Sequence, residues 1–156
     1  MKTNNLGLPA QESETIIQHL NVLLSSFQIY YQNLRGLHWN IRGKRFFDLH
    51  LKFEELYNDA QIKIDLVAER VLTLNGKPMH TFDDYLKNAK VTAGVNISKD
   101  EEAVRLINQS LSELLVLERQ LLSLSGGIHD EGTNNMMSNF ISEQEKTIWM
   151  MNAWLD

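Results

Sequence analysis

His38, His50, Glu54, Asp65 and Glu69 are the residues of this chain whose types and spacing could hold a metal ion. His50 and Glu54 are four apart, as are Asp65 and Glu69, and on a helix that interval lets two side chains converge on one ion from the same face. At about 100° per residue, with His50 as zero, Glu54 falls near 40°, Asp65 near 60° and Glu69 near 100°, so all four share one stripe. A solvated helix face would also carry acids; the paired spacing is what argues for ligands. Each pair is half a site. Glu54 and Asp65 are eleven residues apart, about 16 Å along the axis at about 1.5 Å per residue, so one ion cannot touch both. A second copy of the helix, antiparallel across a two-fold axis, resolves this: His50 and Glu54 of one chain meet Asp65 and Glu69 of the other. His38, near the end of the preceding helix, can join His50 to complete a mixed nitrogen and oxygen set. Such a set suits iron, manganese or zinc better than calcium or magnesium.

The elements that position these residues follow from apolar periodicity. From Ser13 onward, Ile16, Ile17, Leu20, Leu23, Leu24, Phe27, Tyr30, Leu34, Leu37 and Ile41 recur three or four apart, which predicts an amphipathic helix ending near Gly43. Phe46, Phe53, Leu56, Tyr57, Ala60, Ile64, Val67, Val71 and Leu74 predict a second, stopped by Asn75, Gly76 and Pro78. Thr81 to Asp84 reads as a capping box for a short helix over about 82–87, and Ser98 to Glu101 as another opening a third long helix that ends at Gly126 and Gly127. The last helix begins near Asp130 to Thr133 and runs to the end of the chain. Four long helices with a short one in the long crossover between the second and third predict an all-α, ferritin-like four-helix bundle.

Composition bounds the rest. The 156 residues fit one domain, 1–156, with residues 1–12 as a short tail. There is no cysteine, so disulfides, thiolate metal sites and thiol nucleophiles are excluded. No run of about eighteen apolar residues exists and the start lacks a signal-type apolar core, so a cytoplasmic protein with no membrane partner is expected. The net charge of −5 argues against a uniform anion-binding surface, and the tail carries only Lys2 and Glu12 as charges, so DNA is a weak candidate partner. A ferritin-like centre inside one bundle takes Glu-x-x-His pairs, and no His here has a Glu three positions before it.

The segment His38-Trp39-Asn40-Ile41-Arg42-Gly43, then Phe46-Phe47, His50, Phe53-Glu54-Glu55-Leu56-Tyr57, Asp65 and Ala68-Glu69-Arg70, resembles the signature of the Dps family, the miniferritins named as DNA-binding proteins from starved cells. Asp130-Glu131-Gly132-Thr133 and Glu145 to Met150 are similar to that family's last helix. The resemblance implies a di-iron ferroxidase centre at a two-fold subunit interface, with His38, His50 and Glu54 from one subunit and Asp65 and Glu69 from its mate. It further implies iron(II) as substrate, hydrogen peroxide (or oxygen) as oxidant, and an iron mineral stored inside a hollow homo-dodecamer. Protection against oxidative stress follows. Trp39 would intercept stray oxidising equivalents. Glu54 departs from the family's usual Asp, which implies altered carboxylate reach with binding retained.

Two regions outside this set hold a second reading. Asp130 and Glu131 either complement the dipole at the start of the last helix or, by the resemblance, line a pore that draws iron inward; Asn135 stands where another pore acid is expected. His19, His80 and His129 read as structural or surface residues. Met136, Met137, Met150 and Met151 read as packing residues rather than soft-metal ligands.

Overall fold

The computed structural model describes residues 2–156, and the described residues form five helices: α1 (Ala10–Asn40), α2 (Phe46–Thr73), α3 (Phe82–Asn88), α4 (Asp100–Gly127) and α5 (Glu131–Leu155). None is long and apolar enough to cross a membrane. The expected all-α, four-helix architecture with a short helix in the crossover is the one found. α1 begins at Ala10, one turn before Ser13, whose hydroxyl donates back at 2.7 Å to the Pro9 carbonyl, the same oxygen that accepts the helical bond from the Ser13 amide. The Thr81 cap forms, its hydroxyl accepting from the Asp84 amide. The Ser98 box does not: Lys99 is the N-cap, Asp100 accepts from the neighbouring Glu101 amide, and the Ser98 carbonyl is used to accept from the Arg42 amide of the α1–α2 loop.

α1 pairs with α2, α4 with α5, and α1 also packs on α4. Arg45, just before α2, reaches Asp100 at the start of α4, while Arg70 near the end of α2 reaches Asp130 at the start of α5. α2 and α4 are therefore parallel, and the crossover must travel the length of the bundle. The core between the helices is built of Leu20, Leu23, Leu24, Phe27, Leu34, Phe53, Ile107, Leu111, Leu114, Leu121 and Met137, all essentially without solvent contact. Each contributes on the order of 1.5–3 kcal/mol through burial. Met136 packs against this core and Met151 is buried, while Met150 is partly exposed.

The crossover is held by three polar residues of α1. Asn21 donates to the Lys77 carbonyl and accepts from the Met79 amide; Ser26 accepts from the Lys90 amide; Asn33 donates to the Thr92 carbonyl at 2.9 Å and accepts from the Gly94 amide at 2.8 Å. These are backbone groups that no helix or strand satisfies, so α1 supplies their partners. Gly76 lets the chain leave α2 close to α1, since a Cβ there would lie 2.6 Å from Ile17 Cγ2. Asn33→Ala is expected to cost about 1–3 kcal/mol, with faster amide hydrogen exchange at Gly94 and unchanged exchange in the middle of α1.

Candidate metal centre

His38 lies in the last turn of α1 and His50 near the start of α2, and the short loop between the helices brings them face to face. Their rings stack with centroids 3.7 Å apart and planes 14° from parallel. His38 Nδ1 is 2.6 Å from the His50 carbonyl oxygen, and His50 Nδ1 is 2.7 Å from the His38 carbonyl oxygen. A carbonyl can only accept, so Nδ1 carries the hydrogen in each ring, and Nε2 is left as the nitrogen that can offer a lone pair to a metal. Phe46 stacks on His50 at 4.8 Å, and Tyr57 meets His38 nearly at right angles at 5.3 Å. Hydrogen bonds and aromatic neighbours thus hold both imidazoles before any ion arrives.

Glu54 is half-buried one turn beyond His50, whereas Asp65 and Glu69 are exposed farther along α2. Among the described residues, no three His, Cys, Asp or Glu side chains of one chain converge to hold an ion. The structure brings His38 and His50 together and leaves Asp65 and Glu69 on the outer face of the same helix.

That outer face is not an ordinary wet surface. Phe47, Leu51, Ile62 and Leu72 of α2 are 81%, 66%, 62% and 57% exposed. On the angular scale used above they fall near 60°, 100°, 120° and 40°, within or beside the sector of Glu54, Asp65 and Glu69. Four large apolar side chains interleaved with the candidate ligands mark a surface suited to burial against another protein face.

Trp39 follows His38 in sequence but is 57% exposed where His38 is buried, with the Arg35 guanidinium 4.8 Å above its ring. Arg35 also lies over Tyr31, which meets Tyr57 at 6.0 Å, so contacts run from His38 through Tyr57 and Tyr31 to the Arg35 guanidinium, which alone links them to Trp39. Sequence reasoning placed Phe46 and Tyr57 in the second helix and in the family signature without giving them a role beside the histidines, and passed over Arg35; the signal was helical spacing, with Phe46 four before His50 and Arg35 four before Trp39.

The remaining histidines have structural settings. His19 and His80 face local carbonyls, those of Thr15 and Pro78. His129 has φ +60°, the left-handed position that closes α4: its amide donates to the Gly126 carbonyl and the next amide, of Asp130, to that of Ser125. Asp130 is buried and caps α5, accepting from the Thr133 amide and hydroxyl and from Arg70. Its oxygens are committed to the helix start, which favours capping over pore lining; Glu131 is exposed.

A polar cluster inside the bundle was not legible as such. The buried Lys63 ammonium sits 2.6 Å from both Asp59 and Glu143 and over the Phe140 ring. Beside it Gln144 donates to Glu118 at 2.7 Å, and Tyr30 is buried nearby, its phenol raised well above the usual range by burial and by the Asp59 and Glu118 carboxyls. The available signal was a polar residue on an apolar stripe: Glu118 between Leu114 and Leu121, Lys63 between Ala60 and Val67.

The ferritin-like domain family matches residues 17–156. A DNA protection during starvation protein of Porphyromonas gingivalis is 40% identical over 148 residues, 95% of this chain and 93% of that protein. General stress protein 20U of Bacillus subtilis is 36% identical over 92% of this chain and 99% of its own length. The crystal structure of a Dps protein from Vibrio cholerae O1, described as a member of a broad superfamily of ferritin-like diiron-carboxylate proteins, superposes with a TM-score of 0.97 at 47% identity, covering 100% of this chain and 98% of that one. By fold and by sequence along nearly its whole length, the chain belongs to the Dps family of ferritin-like proteins.

Proposed function

We propose that this chain is a ferroxidase and iron store, built as a homo-dodecamer, whose centres lie at two-fold interfaces. His38, His50 and Glu54 of one subunit and Asp65 and Glu69 of its mate bind iron(II) as substrate. The observation that carries this reading is the outer stripe of α2, where separated half-sites alternate with exposed Phe47, Leu51, Ile62 and Leu72. Two antiparallel copies of this stripe would bury the apolar residues and complete both sites at once. The donor set fits: imidazole nitrogens with free lone pairs and hard carboxylate oxygens suit iron better than calcium or magnesium.

Pairing two iron(II) ions has a chemical reason. Reduction of hydrogen peroxide to two waters takes two electrons and two protons, one electron from each ion. A single ion supplies one electron and releases hydroxyl radical. The protein's part is to hold both ions within reach of one peroxide. In this reading Trp39, the sequence neighbour of His38, gives an electron to a radical that escapes; its exposed ring under Arg35 is open to such a radical. Removal of iron(II) and peroxide together also protects DNA without a DNA contact, in keeping with the name of the Porphyromonas relative.

The test is sedimentation of the purified 18.0 kDa chain, followed by iron(II) and peroxide with a spin trap for hydroxyl radical. The expected result is a particle of about twelve chains, rapid formation of soluble iron(III), and little trapped radical, with more in Trp39→Phe. A small oligomer with no peroxide-driven oxidation beyond that of buffer would overturn the reading.

A further inference from the structure

The polar pair buried between α4 and α5 has an imbalance that points to a proton. Glu118 is completely without solvent contact and Gln144 nearly so. One hydrogen bond, from Gln144 Nε2 to Glu118 Oε1, joins them, while Glu118 Oε2 and Gln144 Oε1 are both buried with no partner. With an ionised Glu118, the site would leave a charged oxygen and an amide oxygen both without donors, each at the cost of desolvation.

The surroundings supply no other donor to this pair. From α2, the Lys63 ammonium is hydrogen-bonded to Asp59 and to Glu143 of α5. From α1 comes the Tyr30 phenol, which stays protonated but makes no hydrogen bond to either orphan oxygen. Arg119, the next residue of α4, is half-exposed and bound to Glu145. A single hydrogen on Glu118 Oε2 satisfies both orphan oxygens, because an acid and an amide joined by one bond can close a ring with the second.

We propose that Glu118 is held as a neutral carboxylic acid that donates to Gln144 Oε1, forming an acid–amide lock between α4 and α5 that opens at alkaline pH. Burial agrees with this, pushing the Glu118 carboxyl up to about 8 against the opposing effects of the Gln144 bond and the Lys63 and Arg119 charges. The sign follows: a folded-state value raised from the ordinary 4.5 to about 8 means that stability from this group is complete below 4.5 and is lost as pH rises toward 8, then levels.

Infrared difference spectra of the intact wild-type protein and Glu118→Gln, with thermal unfolding of both from pH 4 to 10, provide the test. A glutamine side chain presents the same acceptor and a permanent donor, so it reproduces the locked form. The expected result is a protonated-carboxyl band in the wild type at pH 6.5 that disappears near pH 8 and is missing in the variant. The wild-type melting temperature should also fall relative to that of the variant over the same rise in pH. Absence of that band from the wild type at pH 6.5, or a constant difference in melting temperature across the range, overturns the proposal. The infrared arm needs only the wild type, so a poorly folding variant would not shield the proposal.

Discussion

Asp65→Ala is expected to abolish peroxide-driven iron(II) oxidation as completely as His50→Ala, each by at least about 100-fold, although the two residues sit some four turns apart on α2. Mixing the variants should then restore activity that neither has alone. In a two-fold pair made of one chain of each kind, one centre lacks both residues and the other is intact. Random pairing makes about half of the pairs mixed, each with one good centre of two, so about a quarter of the wild-type oxidation rate should return after joint refolding. Complementation is specific to a site shared between chains. If each variant is inactive but the mixture recovers nothing, while mixed assemblies form, the shared-site reading fails. If His50→Ala alone retains wild-type oxidation, the ligand assignment fails as well.

Asp130→Ala is expected to be the most destabilising of the surface-adjacent substitutions, by about 3–5 kcal/mol. The carboxylate is buried, accepts from the Thr133 amide and hydroxyl, and balances Arg70 of α2. Removing it deletes the α5 cap and strands a guanidinium that is itself largely buried. For a chain of this size that corresponds to a fall in melting temperature of roughly 10 °C. Glu131→Gln, one residue on and exposed, should change stability by less than about 0.5 kcal/mol. Gly132 belongs to the same arrangement, since a Cβ there would lie 2.7 Å from Arg70 Nη1. A melting temperature of Asp130→Ala equal to that of the wild type would show that the ion pair and cap contribute nothing. Slow iron uptake in Glu131→Gln at unchanged stability would instead give Glu131 the pore role that the capping geometry withholds from Asp130.

Much of the bundle could be read in advance because its signals are local. Apolar residues three and four apart specify each helix, Asn75 and Gly76 end α2, and Thr81 and Asp130 cap α3 and α5, all through contacts spanning a few residues. The failure at Ser98 is instructive for the same reason. Its local pattern is a good capping box, but its carbonyl is engaged by Arg42 from the α1–α2 loop, a competitor far away in the chain. The clamps Asn21, Ser26 and Asn33 were hidden likewise, since their partners are backbone groups of the crossover. Glu118, Gln144 and Lys63 escaped because polar residues on apolar stripes become meaningful only when the facing residues are known.

The sequence by itself determined the helices, the residue types of the candidate ligands and one quantitative constraint: at a fixed rise per residue, His50 with Glu54 and Asp65 with Glu69 are too far apart for one chain to close a centre on a single helix. Only the tertiary structure decided how the half-site is prepared. The crossing of α1 and α2 sets each imidazole against the other's carbonyl, and so chooses the tautomer that leaves Nε2 free. It also decided that Asp130 is turned inward to Arg70 and that Phe47, Leu51, Ile62 and Leu72 stay uncovered beside the acids. Helical periodicity gives the angle of a side chain about its own axis, whereas the rotation and crossing of one helix against another arise from packing across the whole core. The partner of each polar group follows from that packing.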